Sequence, residues 1–193
     1  MLSLKNSLAV LKKTDALLEG HFVLSSGLHS PQYVQCAKLL SKPNQAKKFI
    51  NSLVSKIKKN VKSFDIILSP AMGGVIIGYE IGRLLKKETI FCERVDKKFK
   101  LRRGFNIKKK FKILIVEDVI TTGKSSIECI KLINKLGGKF VGIACLIDRS
   151  KKSSITKKII SQVKLDIPVF KKNKLPVNLK NIKITKPGSR YLR

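Results

Sequence analysis

Two adjacent acids, Glu117 and Asp118, end the apolar run Ile113-Leu114-Ile115-Val116, and after Val119 and Ile120 comes Thr121-Thr122-Gly123-Lys124-Ser125. Carboxylates at a strand end can accept hydrogen bonds from a pair of sugar hydroxyls. A hydroxyl-rich turn that opens a helix can offer N–H and O–H groups to a phosphate. The segment therefore has the layout of a ribose-phosphate cradle. The plainer role for such an acid pair is helix capping, and the hydroxyl loop directly behind it favours a ligand. A polyphosphate loop is excluded although Gly123-Lys124-Ser125 matches the end of that motif. Its first glycine would fall at position 118, where the carboxylate of Asp118 repels phosphate.

Three further segments have suitable chemistry. Pro70-Ala71-Met72-Gly73-Gly74 reads as a strand-to-helix turn whose glycines either let the backbone approach a phosphate or diphosphate or serve packing alone. Arg149 follows the strand that ends at Asp148, where its planar fork suits a carboxylate, the alternative being a surface ion pair. Between Arg94 and Arg103 lies a charged excursion that also carries Lys97, Lys98, Lys100 and Arg102. It is either a working cation source or a solvated hairpin.

The elements that must position these groups alternate. Helical spacing of apolar residues from Leu2 to Leu18 predicts a first helix ending at Gly20, followed by short strands around a turn from His21 to Gln35. An amphipathic helix follows Pro43, a buried strand runs from Asp65 to Ser69, and a helix opens at Gly74 with Gly78 and Gly82 on the same face. A strand from Thr89 to Glu93 leads into the charged excursion, with Phe105 to Ile107 as its return. Then come the strand ending at the acid pair, a helix from Gly123 to Leu136, a strand from Phe140 to Ile147 and a last strand from Ile167 to Phe170. The lysine-rich stretch from Ser150 to Lys158 reads as an exposed helix or loop. This order predicts an α/β fold with a mostly parallel sheet flanked by helices, its ligand outside the C-terminal strand ends.

Composition narrows the class. The 193 residues fit one domain, 1–193, with a hydrophobic fraction of 43% and no apolar run near the length of a membrane span. The first residues lack the continuous apolar core of a signal peptide, and a cytoplasmic protein is expected. Cys36, Cys92, Cys129 and Cys145 are scattered, consistent with reduced thiols and not with a metal cluster. The net charge of +30 comes mostly from lysines spread along the whole chain, which suits a solvated surface that attracts anions better than a dedicated nucleic-acid face.

The segment 113–125 resembles the signature of type I phosphoribosyltransferases: an apolar strand, two acids, two apolar residues and Thr-Thr-Gly-x-Ser. Gly20 to Ser30, Pro70 to Gly74, Glu93-Arg94-Val95-Asp96, Leu101 to Phe105 and Lys186-Pro187-Gly188-Ser189-Arg190 extend the resemblance to a bacterial orotate-using subgroup of that family. The resemblance implies a Rossmann-like core at about 41–170, a small hood from about 1–40 plus the C-terminal segment, and a flexible charged hairpin. It implies Mg2+-dependent transfer of the phosphoribosyl group from 5-phosphoribosyl 1-diphosphate (PRPP) to orotate, with the metal held mainly by substrate and water. Carried over, PRPP binds Glu117, Asp118, Val119, Ile120, Thr121, Thr122, Gly123, Lys124 and Ser125. Orotate binds Thr121 and Arg149, and Asp118, Arg94, Arg102 and Arg103 serve catalysis. The hairpin then closes over the site of a partner subunit in a homodimer. Ser25 and Met72-Gly73 depart from the common family pattern, which carries a lysine at the first and a Tyr-Lys pair at the second; the usual Lys-and-His pattern of the catalytic loop is also absent. Transfer to another nucleobase, or a regulator that senses PRPP while binding nucleic acid, are the competing readings.

Overall fold

The computed structural model describes residues 1–24, 26–150, 155 and 159–187. Ser25, most of the lysine-rich stretch and Gly188 to Arg190 lie outside the described residues.

Helix α1 spans Leu4–Lys13, with Ser3 as its N-cap accepting from the Asn6 N–H. It ends earlier than leucine spacing predicts. The Thr14 hydroxyl donates back to the Val10 carbonyl, and Asp15 takes a left-handed φ of 56°. Leu17 and Leu18 consequently open strand β1 (Leu17–Val23), and Gly20 lies inside that strand. Strand β2 (His29–Val34) pairs with it antiparallel, so the expected turn between two short strands is found. A short α2 (Cys36–Leu40) precedes α3 (Pro43–Asn60), where proline at the first turn lacks only an N–H that has no helical partner.

The remaining order is β3 (Ile66–Pro70), α4 (Gly73–Leu85), β4 (Glu88–Val95), β5 (Lys98–Leu101), β6 (Lys112–Ile120), α5 (Lys124–Lys135), β7 (Lys139–Asp148), β8 (Ile159–Lys164), α6 (Val177–Lys180) and β9 (Ile184–Thr185). The main sheet runs β5-β4-β3-β6-β7-β8 and is parallel except for β5. A small sheet, β2-β1-β9, joins residues from both ends of the expected hood.

Strand period two sorts the core. Ile113 and Ile115 pack with Ile66, Leu68 and Ile90 beneath Cys129 and Ile133 of α5. Leu114 and Val116 join Ile67, Ala144 and Leu146 beneath α3 and α4. Helices therefore cover both faces of the sheet. A one-residue slip of β6 would exchange the two sets, so burial fixes its register and with it the facing of the acids that follow. Gly74, Gly78 and Gly82 bring α4 onto the sheet; a Cβ on Gly78 would come within 3.0 Å of Ser69 Cβ. This face is structural.

Two expected strands are absent. The charged excursion returns as β5, at Lys98–Leu101 and not at 105–107, because Asp96 and Lys97 at φ 50° and 65° make a tight hairpin turn. Residues 167–170 give only an isolated antiparallel bridge from Phe170 to His29. The sheet's last strand is β8, hidden in the sequence behind the lysine run.

Candidate functional site

Adjacent in sequence, Glu117 and Asp118 face opposite sides of β6. Glu117 turns to α5, where it is 6% exposed and accepts a hydrogen bond from the Ser126 hydroxyl. Burial raises its carboxyl to about 7; the Ser126 bond opposes the shift and the charge of Asp118 adds to it. Asp118 turns to the α4 side. Its carboxyl is also raised by burial, with the N–H groups of Val119 and of Asp118 itself pulling it back. A Cβ added to Gly73 would come within 2.6 Å of Asp118 Cγ, so the first residue of α4 must be small for the carboxylate to sit there. The turn before α4 is tied to the neighbouring strand by Ala71 N–H donating to the Cys92 carbonyl at 2.8 Å.

Neither acid caps α5. Gly123 is its N-cap, at φ 73°, and no side chain satisfies the first-turn N–H groups as a cap would. The Thr122 hydroxyl accepts from Lys124 N–H at 3.4 Å. Thr121, Thr122 and Lys124 are exposed and Ser125 is half-buried. A helix N-terminus flanked by three hydroxyl residues and a lysine is a built anion cradle.

Beyond β7, Asp148 is consumed locally, accepting from the N–H and hydroxyl of Ser150 at 2.8 and 2.6 Å. Arg149 is different. Its Nε is buried without a hydrogen-bond partner, and it forms no ion pair among the described residues. Burial lowers its pKa, partly offset by the Tyr33 phenol. Tyr33, on β2, interacts electrostatically with both Arg149 and Asp118; burial raises its pKa, Arg149 opposes and Asp118 reinforces the rise. Sequence reasoning missed Tyr33. Its one signal was its place on the short strand predicted between His21 and Gln35.

The structure thus gathers Asp118, Gly73, Tyr33 and Arg149 on one side of β6, with the loop 121–125 at its end. The hairpin arginines stand apart and are engaged. Arg103 makes a bidentate pair with Glu93 at 3.0 and 3.1 Å. Arg94 pairs with Glu128 of α5 at 2.7 Å. Arg102 is exposed, near enough to Glu93 to help lower its carboxyl below the usual range, mainly the work of Arg103.

Residues 37–178 match the phosphoribosyl transferase domain, and the chain belongs to the phosphoribosyltransferase family. An orotate phosphoribosyltransferase of Parvibaculum lavamentivorans is 45% identical over 183 residues, covering 94% of each chain. Among solved structures, orotate phosphoribosyltransferase from Aeropyrum pernix gives a TM-score of 0.72 at 23% identity, over 81% of this chain and 92% of that one. Adenine phosphoribosyltransferase from Thermoanaerobacter pseudethanolicus gives 0.60 at 20% identity, over 69% and 88%. These two likenesses concern the fold, type I phosphoribosyltransferase with a mostly parallel sheet between helices.

Proposed function

We propose that this chain transfers the phosphoribosyl group of PRPP to orotate, giving orotidine 5'-phosphate and diphosphate, a step of pyrimidine (UMP) biosynthesis. The observation that carries the choice of base is Arg149. Leaving a guanidinium half-buried, with Nε unsatisfied and no ion pair among the described residues, is costly unless an anion arrives, and orotate brings a carboxylate. Thr121 and the ring of Tyr33 complete that side. The 45% identical relative supports the same base.

In this reading the 5-phosphate sits on the amides and hydroxyls of Thr121, Thr122, Gly123, Lys124 and Ser125, with Val119 and Ile120 forming the strand end beneath. Asp118 accepts from the ribose hydroxyls, and Glu117, turned to α5, joins it only by leaving the Ser126 hydroxyl. Breaking the bond at the anomeric carbon develops positive charge on the ribose and negative charge on the diphosphate. Asp118 is then worth most in the transition state, because its field acts in a site largely free of water. Arg94, Arg102 and Arg103 neutralise the diphosphate, which requires the pairs with Glu93 and Glu128 to exchange or share their guanidinium groups. The hairpin serves a homodimer, reaching toward the partner subunit's donor.

Among the described residues no group of three or more His, Cys, Asp and Glu side chains is arranged to hold a metal. The acids present fit an Mg2+ that arrives with PRPP, held by substrate oxygens and water, with Asp118 turned to the α4 side and Glu117 engaged by Ser126. Bound there it would supply part of the neutralisation of the diphosphate. No described helix is long and apolar enough to cross a membrane, and the enzyme is proposed to work in the cytoplasm.

The test is consumption of orotate, followed by its ultraviolet absorbance, with PRPP and Mg2+. Turnover of another base without orotate would overturn the assignment. Arg149→Ala is expected to raise KM for orotate by roughly a hundredfold and KM for PRPP by less than about threefold; equal effects would argue against a carboxylate at Arg149.

A further inference from the structure

Arg94 is held from three sides. Its Nη2 lies 2.7 Å from Glu128 Oε2, its Nη1 donates to the Lys97 carbonyl at 2.6 Å, and its guanidinium stacks over the Phe99 ring at 4.2 Å. The last two contacts lie within the hairpin, so they tie Arg94 to its own turn. Strand pairing of β4 with β3 holds the backbone of the hairpin base, and among the described residues the side chain of Arg94 reaches another element through Glu128.

That element is α5, whose N-terminus is the phosphate loop. Glu128 follows Ser125 by three residues, less than one helical turn. Beyond this pair Phe99 of the hairpin packs into the apolar cluster that holds Cys129 and Ile133 of α5, with Leu101 and Phe105 against it. A cavity of about 830 Å³ opens beside this contact, lined by Phe99, Leu101, Phe105, Leu132 and Leu136 among others. Apolar packing therefore holds strand against helix, and the carboxylate of Glu128 has the separate task of setting where the Arg94 guanidinium stands relative to the loop.

Resting on the reading of Arg94 as a diphosphate cation, we propose that Glu128 is a positioning residue, which sets the Arg94 guanidinium at a fixed distance from the phosphate loop and so couples recognition of the donor's two phosphate ends. A guanidinium already oriented by a carboxylate, a carbonyl and a ring loses less freedom on meeting diphosphate than a free one. Glu128 touches no substrate. Its effect passes entirely through Arg94, and the coupling requires that Arg94, at the hairpin base, meet the donor held by its own chain's phosphate loop while the hairpin beyond it reaches toward the partner subunit.

The test is a mutant cycle of Arg94→Ala, Glu128→Gln and the double variant, with KM measured separately for PRPP and orotate. Arg94→Ala is expected to raise KM for PRPP roughly tenfold or more and Glu128→Gln about three- to tenfold, with KM for orotate unmoved and the double variant no worse than Arg94→Ala. Glu128→Asp, which keeps the charge, should fall between wild type and Gln, and it carries the test if the Gln variant folds poorly. Additive effects, or a Glu128→Gln enzyme with normal KM for PRPP, would overturn the role of Glu128. An Arg94→Ala enzyme with normal KM for PRPP would instead overturn the assignment of Arg94 to diphosphate.

Discussion

The cradle at the end of β6 and the β4–β5 hairpin treat charge in opposite ways. In the cradle buried Glu117 and half-buried Asp118 have no cationic partner among the described residues, and nearby Arg149 is half-buried with no anionic partner among them. On the hairpin Glu93 pairs with Arg103, Asp96 with Lys100, and Arg94 with Glu128. Charges that the fold leaves uncompensated in a low-dielectric setting are held ready for a ligand. Charges paired in water hold a shape and can exchange partners at little cost. The core therefore bears the energetic cost of unpaired charge, and the hairpin bears almost none.

Breaking the contrast at its strongest point should have the largest effect. Asp118→Asn keeps the shape and removes the charge, and is expected to lower kcat/KM by about a hundredfold or more, with most of the loss in kcat. Initial rates at saturating PRPP and orotate check this. An unchanged kcat would mean that Asp118 only binds ground-state hydroxyls.

Glu117 sharpens the contrast through stability. Its carboxyl is raised from 4.5 to about 7 in the folded protein, so the folded state holds an extra proton between those values. Stability must then fall as pH rises through that window, with the full loss, about 3 kcal/mol, present above pH 7. Glu117→Gln cannot ionise. Relative to wild type it should match at pH 4 and gain stability progressively to pH 8, as read from urea unfolding at each pH. A gain independent of pH would refute the buried, uncompensated acid.

The smallest effect is expected on the hairpin. Glu93→Gln removes the partner of Arg103 in an exposed pair, and the melting temperature should move by about 1 °C or less. A larger shift would mean that the hairpin, too, depends on its charges for folding.

What could be seen in the sequence follows from which signals are local. The turn 121–125 and the acids before it were legible because strand, loop and helix start are consecutive and each has its own residue types. The helices α3, α4 and α5 were legible from period 3.6. Leu17 and Leu18 were misassigned to the first helix because leucine spacing does not register a stop imposed by Thr14 and the left-handed Asp15. The return strand Lys98–Leu101 was missed because half of it is lysine, and β8 because Ile159-Ile160-Ser161-Gln162-Val163-Lys164 is short, does not alternate and directly follows the lysine run. Tyr33 and Glu128 were missed for another reason. Each acts across elements far apart in the chain, and no local pattern records that Tyr33 faces Arg149 or that Glu128 faces Arg94.

The small sheet has a consequence for how the molecule is made. Strand β1 is flanked by β2, close in sequence, and by β9, whose Ile184 pairs with His21. Two buried histidines fasten the same place: His21 Nε2 lies 2.6 Å from His29 Nδ1, and His21 Nδ1 lies 3.2 Å from the Ile182 carbonyl. With Nδ1–H of His21 donating to that carbonyl, His29 must donate to His21, so one tautomer of each ring serves the whole clasp. On a ribosome the first strands of this sheet emerge long before the residues that complete it. The parallel core can form while the clasp is still open, and the wall carrying Tyr33 becomes complete only once residues 182–185 arrive. In the proposed reading of the site, a chain halted short of residue 182 would keep the loop 121–125 with the wall that carries Tyr33 unfinished above it.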